Sequence, residues 1–288
     1  MVIRWYLSVF FLSAAAPAYG ETVNTELSFR LDPQGGVVVL AAVQGAGPFP
    51  FLLDTGSSHS AISDDLAREL ALRTIARADL QTSTGRTVVA VVDIEAVSVG
   101  AATSRIQASV LAAMALRVIG ADIRGVLGRD FLSVHHFTID YSRRRLRWDD
   151  LGEGLESPIG KSIRVPLVEE DGRFIMQAAQ RDRQTLRLVA DTGSSELVLF
   201  ESERLTRLAL TPASGLPQML LSSLSGSQSV RLMRVPRLAV GGLMLRNRLA
   251  VVLPPATSVY SSIDGLLPLH TFHAVSFRQR DGYVLISQ

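Results

Sequence analysis

The five residues Asp-Thr-Gly-Ser-Ser occur twice in this chain, each time after two apolar residues, and this duplication constrains the fold more than any other feature. Leu-Leu-Asp-Thr-Gly-Ser-Ser at residues 52–58 recurs as Val-Ala-Asp-Thr-Gly-Ser-Ser at residues 189–195, an offset of 137 (191 minus 54). Before each copy the pattern predicts strand, turn, strand, turn, strand. After each copy it predicts a short amphipathic helix, at 64–72 and 201–210. The chain is therefore predicted to consist of two homologous halves.

Each half also ends in a similar way. Val126-Leu127-Gly128 follows the first aspartate by 74 residues (128 minus 54), and Leu266-Leu267-Pro268 follows the second by 77 (268 minus 191). The pattern predicts two homologous, mostly β lobes, which a pseudo-twofold axis would relate. The predicted lobes span 21–148 and 162–288. Between them, residues 149–161 are rich in Gly, Glu and Asp and are predicted to form the linker.

The first 20 residues have the pattern of a secretory signal peptide. Arg4 precedes an apolar run at 5–16, and small residues follow before Glu21. The alternative is a membrane anchor, but a span needs about 20 apolar residues and this run is shorter. The sequence predicts a periplasmic or secreted protein that is free of the membrane after cleavage. The chain has no cysteine, so neither disulfides nor a lipid-modified cysteine are expected.

The overall composition excludes several classes of protein. Apolar residues make up 47% and charged residues 19% of the chain, which is typical of globular proteins and not of disordered ones. The formal net charge is only +2, from 29 basic and 27 acidic residues, so no nucleic-acid partner is expected. The arginines at 143–147 are interpreted as a solvated hairpin turn. Five histidines are interpreted as structural or surface residues because they have no metal-ligand spacing: His59, His135, His136, His270 and His273.

An Asp-Thr-Gly sequence after a strand places a carboxylate on a tight loop. A single copy most often marks a turn. Two copies at equivalent positions of duplicated lobes would meet at the pseudo-twofold axis, so Asp54 and Asp191 are predicted to share one site. Two adjacent carboxylates hold one proton between them. Such a pair can activate a water for attack on an amide carbonyl and can protonate the carbonyl oxygen.

The residues next to each aspartate are predicted to support the pair. Thr55 and Thr192 are expected to hydrogen-bond to the opposite loop and to hold the two loops rigidly. The hydroxyls of Ser57 and Ser194 are expected to donate to the carboxylates and thereby to favour their charged form. A glycine lets each loop turn sharply and lets another segment approach closely; these glycines are Gly56 and Gly193.

The paired Asp-Thr-Gly-Ser loops and the later apolar-apolar-Gly element resemble those of aspartic proteases of the pepsin and retropepsin superfamily, in a single-chain, two-lobe, bacterial-type form. The resemblance covers nearly all of the chain after residue 20. It implies an all-β fold of two homologous acid-protease-like β-barrel lobes, related by a pseudo-twofold axis with a cleft between them. It also implies Asp54 and Asp191 as the catalytic pair. The function it implies, together with the predicted signal peptide, is an exported aspartic endopeptidase that hydrolyses peptides or unfolded proteins. It further implies a monomer with no cofactor and no metal. A flap is implied at 81–86, with Thr84 and Gly85 at its tip and a counterpart at 222–227.

Two features depart from the pattern of the family. Pro268 stands where the second lobe would carry its supporting glycine, and the flap candidate has no tyrosine, which favours a retropepsin style of flap. An alternative therefore stays open, namely a catalytically weak or inactive peptide-binding protein on the same fold. A form active only as a higher oligomer is disfavoured, because one chain already carries both aspartates.

Overall fold

The protein is described from a computed structural model. The structure describes residues 25–82, 85–149, 161–170, 172–179, 185–206, 210–212, 219–223, 226–253 and 262–288. The predicted signal peptide at 1–20, the flap candidate Thr84 and residues 150–160 of the predicted linker lie outside these ranges. Among the described residues, no helix combines the length and the apolar character needed to cross a membrane.

The described part of the first half is built almost entirely of strands. Its elements are β1 (Glu26–Ser28), β2 (Arg30–Leu31), β3 (Val37–Val43), β4 (Ala46–Leu53), β5 (Ala61–Ser63), α1 (Asp64–Glu69), β6 (Thr74–Thr82), β7 (Gly85–Val99), β8 (Ala102–Leu111), α2 (Ala113–Arg117), β9 (Gly125–Leu127), α3 (Arg129–Leu132), β10 (Phe137–Asp140) and β11 (Arg145–Trp148).

The second half repeats this order with small changes. Its described elements are β12 (Ile163–Pro166), β13 (Val168–Glu170), β14 (Arg173–Ala179), β15 (Thr185–Asp191), β16 (Leu197–Phe200), α4 (Glu203–Thr206), β17 (Thr211–Pro212), β18 (Met219–Ser223), β19 (Gly226–Val240), β20 (Leu243–Leu253), β21 (Gly265–Pro268), a 3-10 helix (Leu269–Thr271), β22 (Ala274–Arg278), a second 3-10 helix (Gln279–Asp281) and β23 (Tyr283–Ser287).

The strand pairings of the two halves match one another. In the first lobe the sheet order is β2-β3-β4-β9-β5-β8-β7-β6, and pairing of β3 with β7 closes the sheet. In the second lobe the order is β13-β14-β15-β21-β16-β20-β19-β17, β18 pairs with β19, and pairing of β14 with β19 closes the sheet. The parallel pairs also correspond, β4–β9 with β15–β21 and β5–β8 with β16–β20. The predicted all-β, two-lobe, pseudo-symmetric fold is confirmed.

Successive side chains of a strand point to opposite faces of the sheet, and this alternation explains how the strands are buried. On β3, Val37 and Val39 belong to the main apolar core, whereas Val38, on the other face, packs in a separate cluster with Leu52. Strands that are apolar on both faces can be covered on both sides, as the centre of each lobe requires. Leu40 lies on the same face of β3 as Val38, two residues further along, and is 57% exposed.

A third sheet joins the two lobes. Its order is β1-β11-β10-β22-β23-β12, so each half contributes three strands. At its centre Phe137 stacks on Phe277 with ring centroids 4.6 Å apart. Asp149 is buried beside this sheet and accepts a hydrogen bond at 2.7 Å from the Arg278 guanidinium of the other half. A buried charge is tolerated only when it is paired, so this contact fixes one lobe against the other.

The histidines and the arginine cluster mostly have structural surroundings. His135 and His136 are buried, and the ring of His135 lies 5.2 Å from that of Trp148. Within the described ranges, no three acidic or histidine side chains come together as a metal site would require. Residues 141–144 form the turn between β10 and β11, and Arg143 is 78% exposed. The prediction of a solvated turn is confirmed for Arg143 and Arg144, whereas Arg145 and Arg147 lie on β11 and Arg147 pairs with the buried Asp149.

Candidate active site

The two aspartates lie at equivalent ends of two strands. Asp54 directly follows β4, and its backbone N–H donates to the carbonyl of Leu127 on the parallel strand β9 at 2.9 Å. Asp191 is the last residue of β15 and stands opposite Pro268 of the parallel strand β21. Each carboxylate therefore projects from a loop that a second strand supports from the side.

Two threonines bind the loops to each other. The hydroxyl of Thr55 donates to the carbonyl of Ala190, and the hydroxyl of Thr192 donates to the carbonyl of Leu53, both at 2.6 Å. Each hydroxyl also accepts the backbone N–H of the opposite threonine, at 3.0 and 3.1 Å. Both side chains are buried. The two threonines thus form a reciprocal set of four hydrogen bonds between the loops. Because each of their hydroxyls both donates and accepts, the loops are held in one relative position.

The two carboxylates face each other across the pseudo-twofold axis. Asp54 accepts the backbone N–H groups of Gly56 at 2.8 Å and Ser57 at 3.2 Å. Asp191 accepts those of Gly193 and Ser194 at the same two distances. Each carboxyl group lies beside the glycine of the opposite loop, so the two aspartates act on each other's pKa.

Glycine is required in both loops for this close approach. A Cβ on Gly56 would lie 2.7 Å from Cγ of Asp191, and a Cβ on Gly193 would lie 2.8 Å from Cγ of Asp54. Such distances are shorter than carbon atoms tolerate, so any larger residue would displace a carboxylate. The structure thus brings together the residues that the sequence placed around the aspartates.

Burial sets the protonation of the pair. Burial raises the pKa of Asp54, although the backbone N–H of Gly56 acts in the opposite direction. Burial raises the pKa of Asp191 well above the ordinary value of 3.8, and the nearby charge of Asp54 raises it further. A pair of this kind titrates as a unit and retains one proton to a higher pH than isolated carboxyls do.

The predicted role of the two serine hydroxyls is wrong. The hydroxyl of Ser57 donates to the carbonyl of His59, and that of Ser194 donates to the carbonyl of Glu196, both at 2.8 Å. A serine hydroxyl next to a turn readily bonds the backbone two residues away, and this local contact is the one formed here. The serines support the carboxylates through their backbone N–H groups instead.

Pro268 is accommodated by a matching change in its neighbour. In the first lobe Gly128 N–H donates to the hydroxyl of Ser60 at 3.0 Å, and this hydroxyl donates to Asp130 at 2.6 Å. In the second lobe Leu197 stands in the place of Ser60, since each lies six residues after its aspartate. An apolar Leu197–Pro268 pair therefore replaces the polar Ser60–Gly128 pair. Aligning the two halves of the sequence would have drawn attention to Ser60, because a polar residue in the first half stands opposite the apolar Leu197 in the second.

Each lobe carries a hairpin at the predicted flap position. In the first lobe β6 and β7 pair up to Thr82 opposite Gly85, and in the second lobe β18 and β19 pair up to Ser223 opposite Gly226. Gly85 is the first residue of β7. The second hairpin coincides with the counterpart expected at 222–227. Thr84 lies outside the described residues.

Comparison with known proteins identifies the family. The family model described as aspartyl protease matches the chain twice, at residues 39–131 and 177–270, which together are more than half of the chain. The chain belongs to the aspartyl protease family. Each matched segment contains one of the two Asp-Thr-Gly loops, so the family match has the same two-fold division as the fold.

Solved structures resemble the chain in its fold. Conglutin gamma, a basic 7S globulin from lupine seeds, has a TM-score of 0.51 and 12% identity over 92% of this chain and 94% of its own. Basic 7S globulin from soybean has a TM-score of 0.50 and 11% identity over 91% and 95%. A retropepsin-like aspartic protease from Rickettsia conorii is 22% identical, with a TM-score of 0.31, over 43% of this chain and 89% of its own. No curated protein matches the chain.

Proposed function

We propose that this protein is an exported aspartic endopeptidase that hydrolyses peptide bonds with Asp54 and Asp191. One observation carries the proposal: the carboxyl groups of the buried Asp191 and the partly buried Asp54 lie side by side between loops with matching backbone donors. This arrangement keeps one carboxyl protonated beside an ionised one, which is what hydrolysis by a shared water requires. Both groups come from one chain, so we expect the monomer to be active.

The difference between the two carboxyls suggests their roles. Burial raises the pKa of both carboxyls and the repulsion between them is mutual, but the positive charge of Arg173 favours the charged form of Asp54. In the steps below the shared proton is therefore placed on Asp191. In the first step Asp54 accepts a proton from water, the water oxygen bonds to the amide carbon, and Asp191 gives its proton to the carbonyl oxygen.

The second step breaks the amide bond of the resulting tetrahedral diol. The protonated Asp54 gives its proton to the leaving nitrogen, the C–N bond breaks, and Asp191 takes back a proton from one hydroxyl as the new carboxyl forms. The pair returns to its starting protonation without a metal or a covalent intermediate. The hairpins β6–β7 and β18–β19 could hold an extended peptide by backbone hydrogen bonds, the usual manner in which sheet edges bind peptides.

The test is cleavage of an unfolded protein across about pH 3 to 7, the range in which paired carboxyls of this kind titrate. Wild type, a variant carrying both Asp54→Asn and Asp191→Asn, and Asp281→Asn are compared. Asp281 is exposed at the end of the second 3-10 helix, so Asp281→Asn controls for the loss of one carboxylate. We expect new peptides with wild type and Asp281→Asn and none with the double variant. Cleavage by the double variant would reject the proposal, and binding without cleavage by wild type would favour the peptide-binding alternative.

Export is a separate part of the proposal. The apolar run at 5–16 and the small residues after it support cleavage before Glu21. We expect the full chain, expressed in a bacterium with two membranes, to be recovered from the periplasm or the medium with Glu21 as its first residue. Mass spectrometry of the intact protein measures this directly. A cytoplasmic product that begins at Met1 would contradict it.

A further inference from the structure

An ion pair joins the two lobes close to the first catalytic loop. Arg129 is the first residue of α3, and its Nη2 lies 2.7 Å from Oε1 of Glu169 on β13 of the second lobe. The carbon at the centre of the same guanidinium lies 3.5 Å from the ring centroid of Phe174 on β14. One hairpin of the second lobe therefore holds the side chain of Arg129 between a carboxylate and an aromatic ring.

The turn of this hairpin also packs against the catalytic loop itself. A Cβ on Gly172, in the turn between β13 and β14, would lie 3.2 Å from Cβ of Ser58. Ser58 directly follows Ser57, which bonds Asp54. The β13–β14 hairpin thus contacts the first lobe at two places, the loop through Gly172 and the start of α3 through Arg129.

The backbone of Arg129 extends this contact to a catalytic carboxyl. Its N–H donates to the carbonyl of Ser57 at 2.9 Å. The N–H of Ser57 in turn donates to Oδ1 of Asp54 at 3.2 Å. A continuous series of contacts therefore runs from Glu169 of the second lobe to the carboxyl of Asp54 in the first.

Packing alone does not account for a buried arginine at this position. Arg129 is 5% exposed, and among the described residues its Nε and Nη1 have no hydrogen-bond partner. Burial of a charged group with unbonded polar atoms costs free energy. The second lobe carries the fully buried Leu269 one residue after Pro268, where the first carries Arg129 one residue after Gly128. A leucine can therefore fill the equivalent space, and the arginine indicates a further use.

We propose that Arg129 is a positioning residue for Asp54, through which the second lobe holds the first catalytic loop. Its guanidinium fixes the start of α3 against Glu169 and Phe174, and its backbone N–H fixes Ser57. Substrate contact is no part of this role. The assignment rests on the proposed peptidase function for its effect on turnover, but the contacts themselves do not depend on that function.

The first measurement is the steady-state kinetics of three variants. Arg129→Leu removes the guanidinium and fills the space as Leu269 does in the second lobe, whereas Arg129→Lys keeps a positive charge opposite Glu169. Arg105→Leu is the control, because it breaks an ion pair with Asp93 that lies within the first lobe. We expect Arg129→Leu to lower kcat about tenfold with KM almost unchanged, a usual size for coupling through packed side chains and hydrogen bonds. We expect Arg129→Lys to recover part of the loss and Arg105→Leu to show none.

Thermal unfolding of the same variants separates positioning from folding. Apolar replacement of a buried ion-pair member usually destabilises because it leaves its partner buried and unpaired, but the side chain of Glu169 is 61% exposed and stays solvated. Arg129→Leu is therefore expected to keep the unfolding temperature of wild type while its kcat falls. Unchanged kcat in Arg129→Leu, or no recovery in Arg129→Lys, would overturn the proposal.

A double variant tests whether Arg129 acts through Glu169. Glu169→Gln removes the negative charge and is expected to lower kcat, as Arg129→Leu does. The two substitutions together are expected to lower kcat no further than Arg129→Leu alone, because Glu169 has then already lost its partner. Losses that multiply would show that the two residues act independently and would overturn the proposed link between the lobes.

The last measurement does not depend on turnover. Hydrogen exchange of the Ser57 amide is measured by NMR, and the Gly193 amide of the second catalytic loop, which bonds Asp191, is the internal reference. We expect faster exchange at Ser57 and unchanged exchange at Gly193 in Arg129→Leu and Glu169→Gln, because only the first loop is loosened. If wild type cleaves nothing and this difference still occurs, the peptidase proposal fails and the role of Arg129 stands. Unchanged exchange at Ser57, or equal acceleration at both amides, would overturn that role.

Discussion

Asp191→Asn is expected to make the protein inactive and, at neutral pH, more stable. The carboxyl of Asp191 is only 6% exposed, and burial raises its pKa well above 3.8. Above pH 3.8 the unfolded chain releases this proton while the folded protein still holds it. The free energy of unfolding therefore falls as pH rises between the two pKa values. Asparagine carries no charge at any pH, so the substitution removes this fall in the free energy of unfolding at higher pH.

The stability gain should accordingly depend on pH. Denaturant unfolding at pH 7 is expected to show Asp191→Asn as more stable than wild type, and the difference is expected to vanish below pH 3.8, where both forms are neutral. We expect kcat to fall by about 10² to 10⁴, the usual contribution of a positioned acid or base. Asp281→Asn is the control for both measurements. Equal stability at pH 7, or retained turnover, would contradict the account of a buried pair that shares a proton.

Gly56→Ala is expected to inactivate the protein although it removes no polar group. The added methyl carbon would lie within 2.9 Å of all three carboxyl atoms of Asp191. The hydrogen bonds of Thr55 and Thr192 resist movement of the loops. The carboxyl of Asp191 is therefore the group that must move to make room for the methyl. A misplacement of about 1 Å at a catalytic group costs about 100-fold in rate, and we expect a loss of kcat of at least that size.

The pseudo-symmetry gives this prediction an internal comparison. Gly193→Ala would place its methyl carbon 2.8 Å from Cγ of Asp54, so its effect should be of similar size. Gly120→Ala is the matched control, because its methyl carbon would also lie under 3 Å from a neighbour, Cγ1 of the buried Ile123 at 2.9 Å, but neither catalytic carboxyl is among its nearest atoms. Full activity in Gly56→Ala or Gly193→Ala would show that the loops tolerate separation of the carboxyls.

The threonines and serines of the two loops show which hydrogen bonds could be predicted from the sequence and which could not. The contact of each threonine with the opposite loop was predictable, because the repeat implied a twofold axis and a threonine next to it must face its copy. The hydroxyls of Ser57 and Ser194 were assigned to the wrong acceptor. Their true acceptors lie two residues further along the same loop, and only the dihedral angles of that loop select them.

Pro268 shows a different limit. Taken alone, proline in place of a supporting glycine suggests a weakened loop. In the structure Leu197 lines the same cavity as Pro268, so apolar surface stands where the first lobe uses the Ser60–Gly128 hydrogen bond. Leu197 lies 71 positions before Pro268 (268 minus 197) and cannot be grouped with it until the chain is folded.

The sequence by itself determined the two-lobe division, the all-β class and the pair of loops that carry Asp54 and Asp191, because duplication and period-two burial are properties of the chain as it is written. Only the tertiary structure decided which atoms of the loops bond the carboxylates and which residue stands beside Pro268 in the second lobe. These depend on distances of about 3 Å between residues from different strands and lobes, since a hydrogen bond weakens sharply beyond that separation.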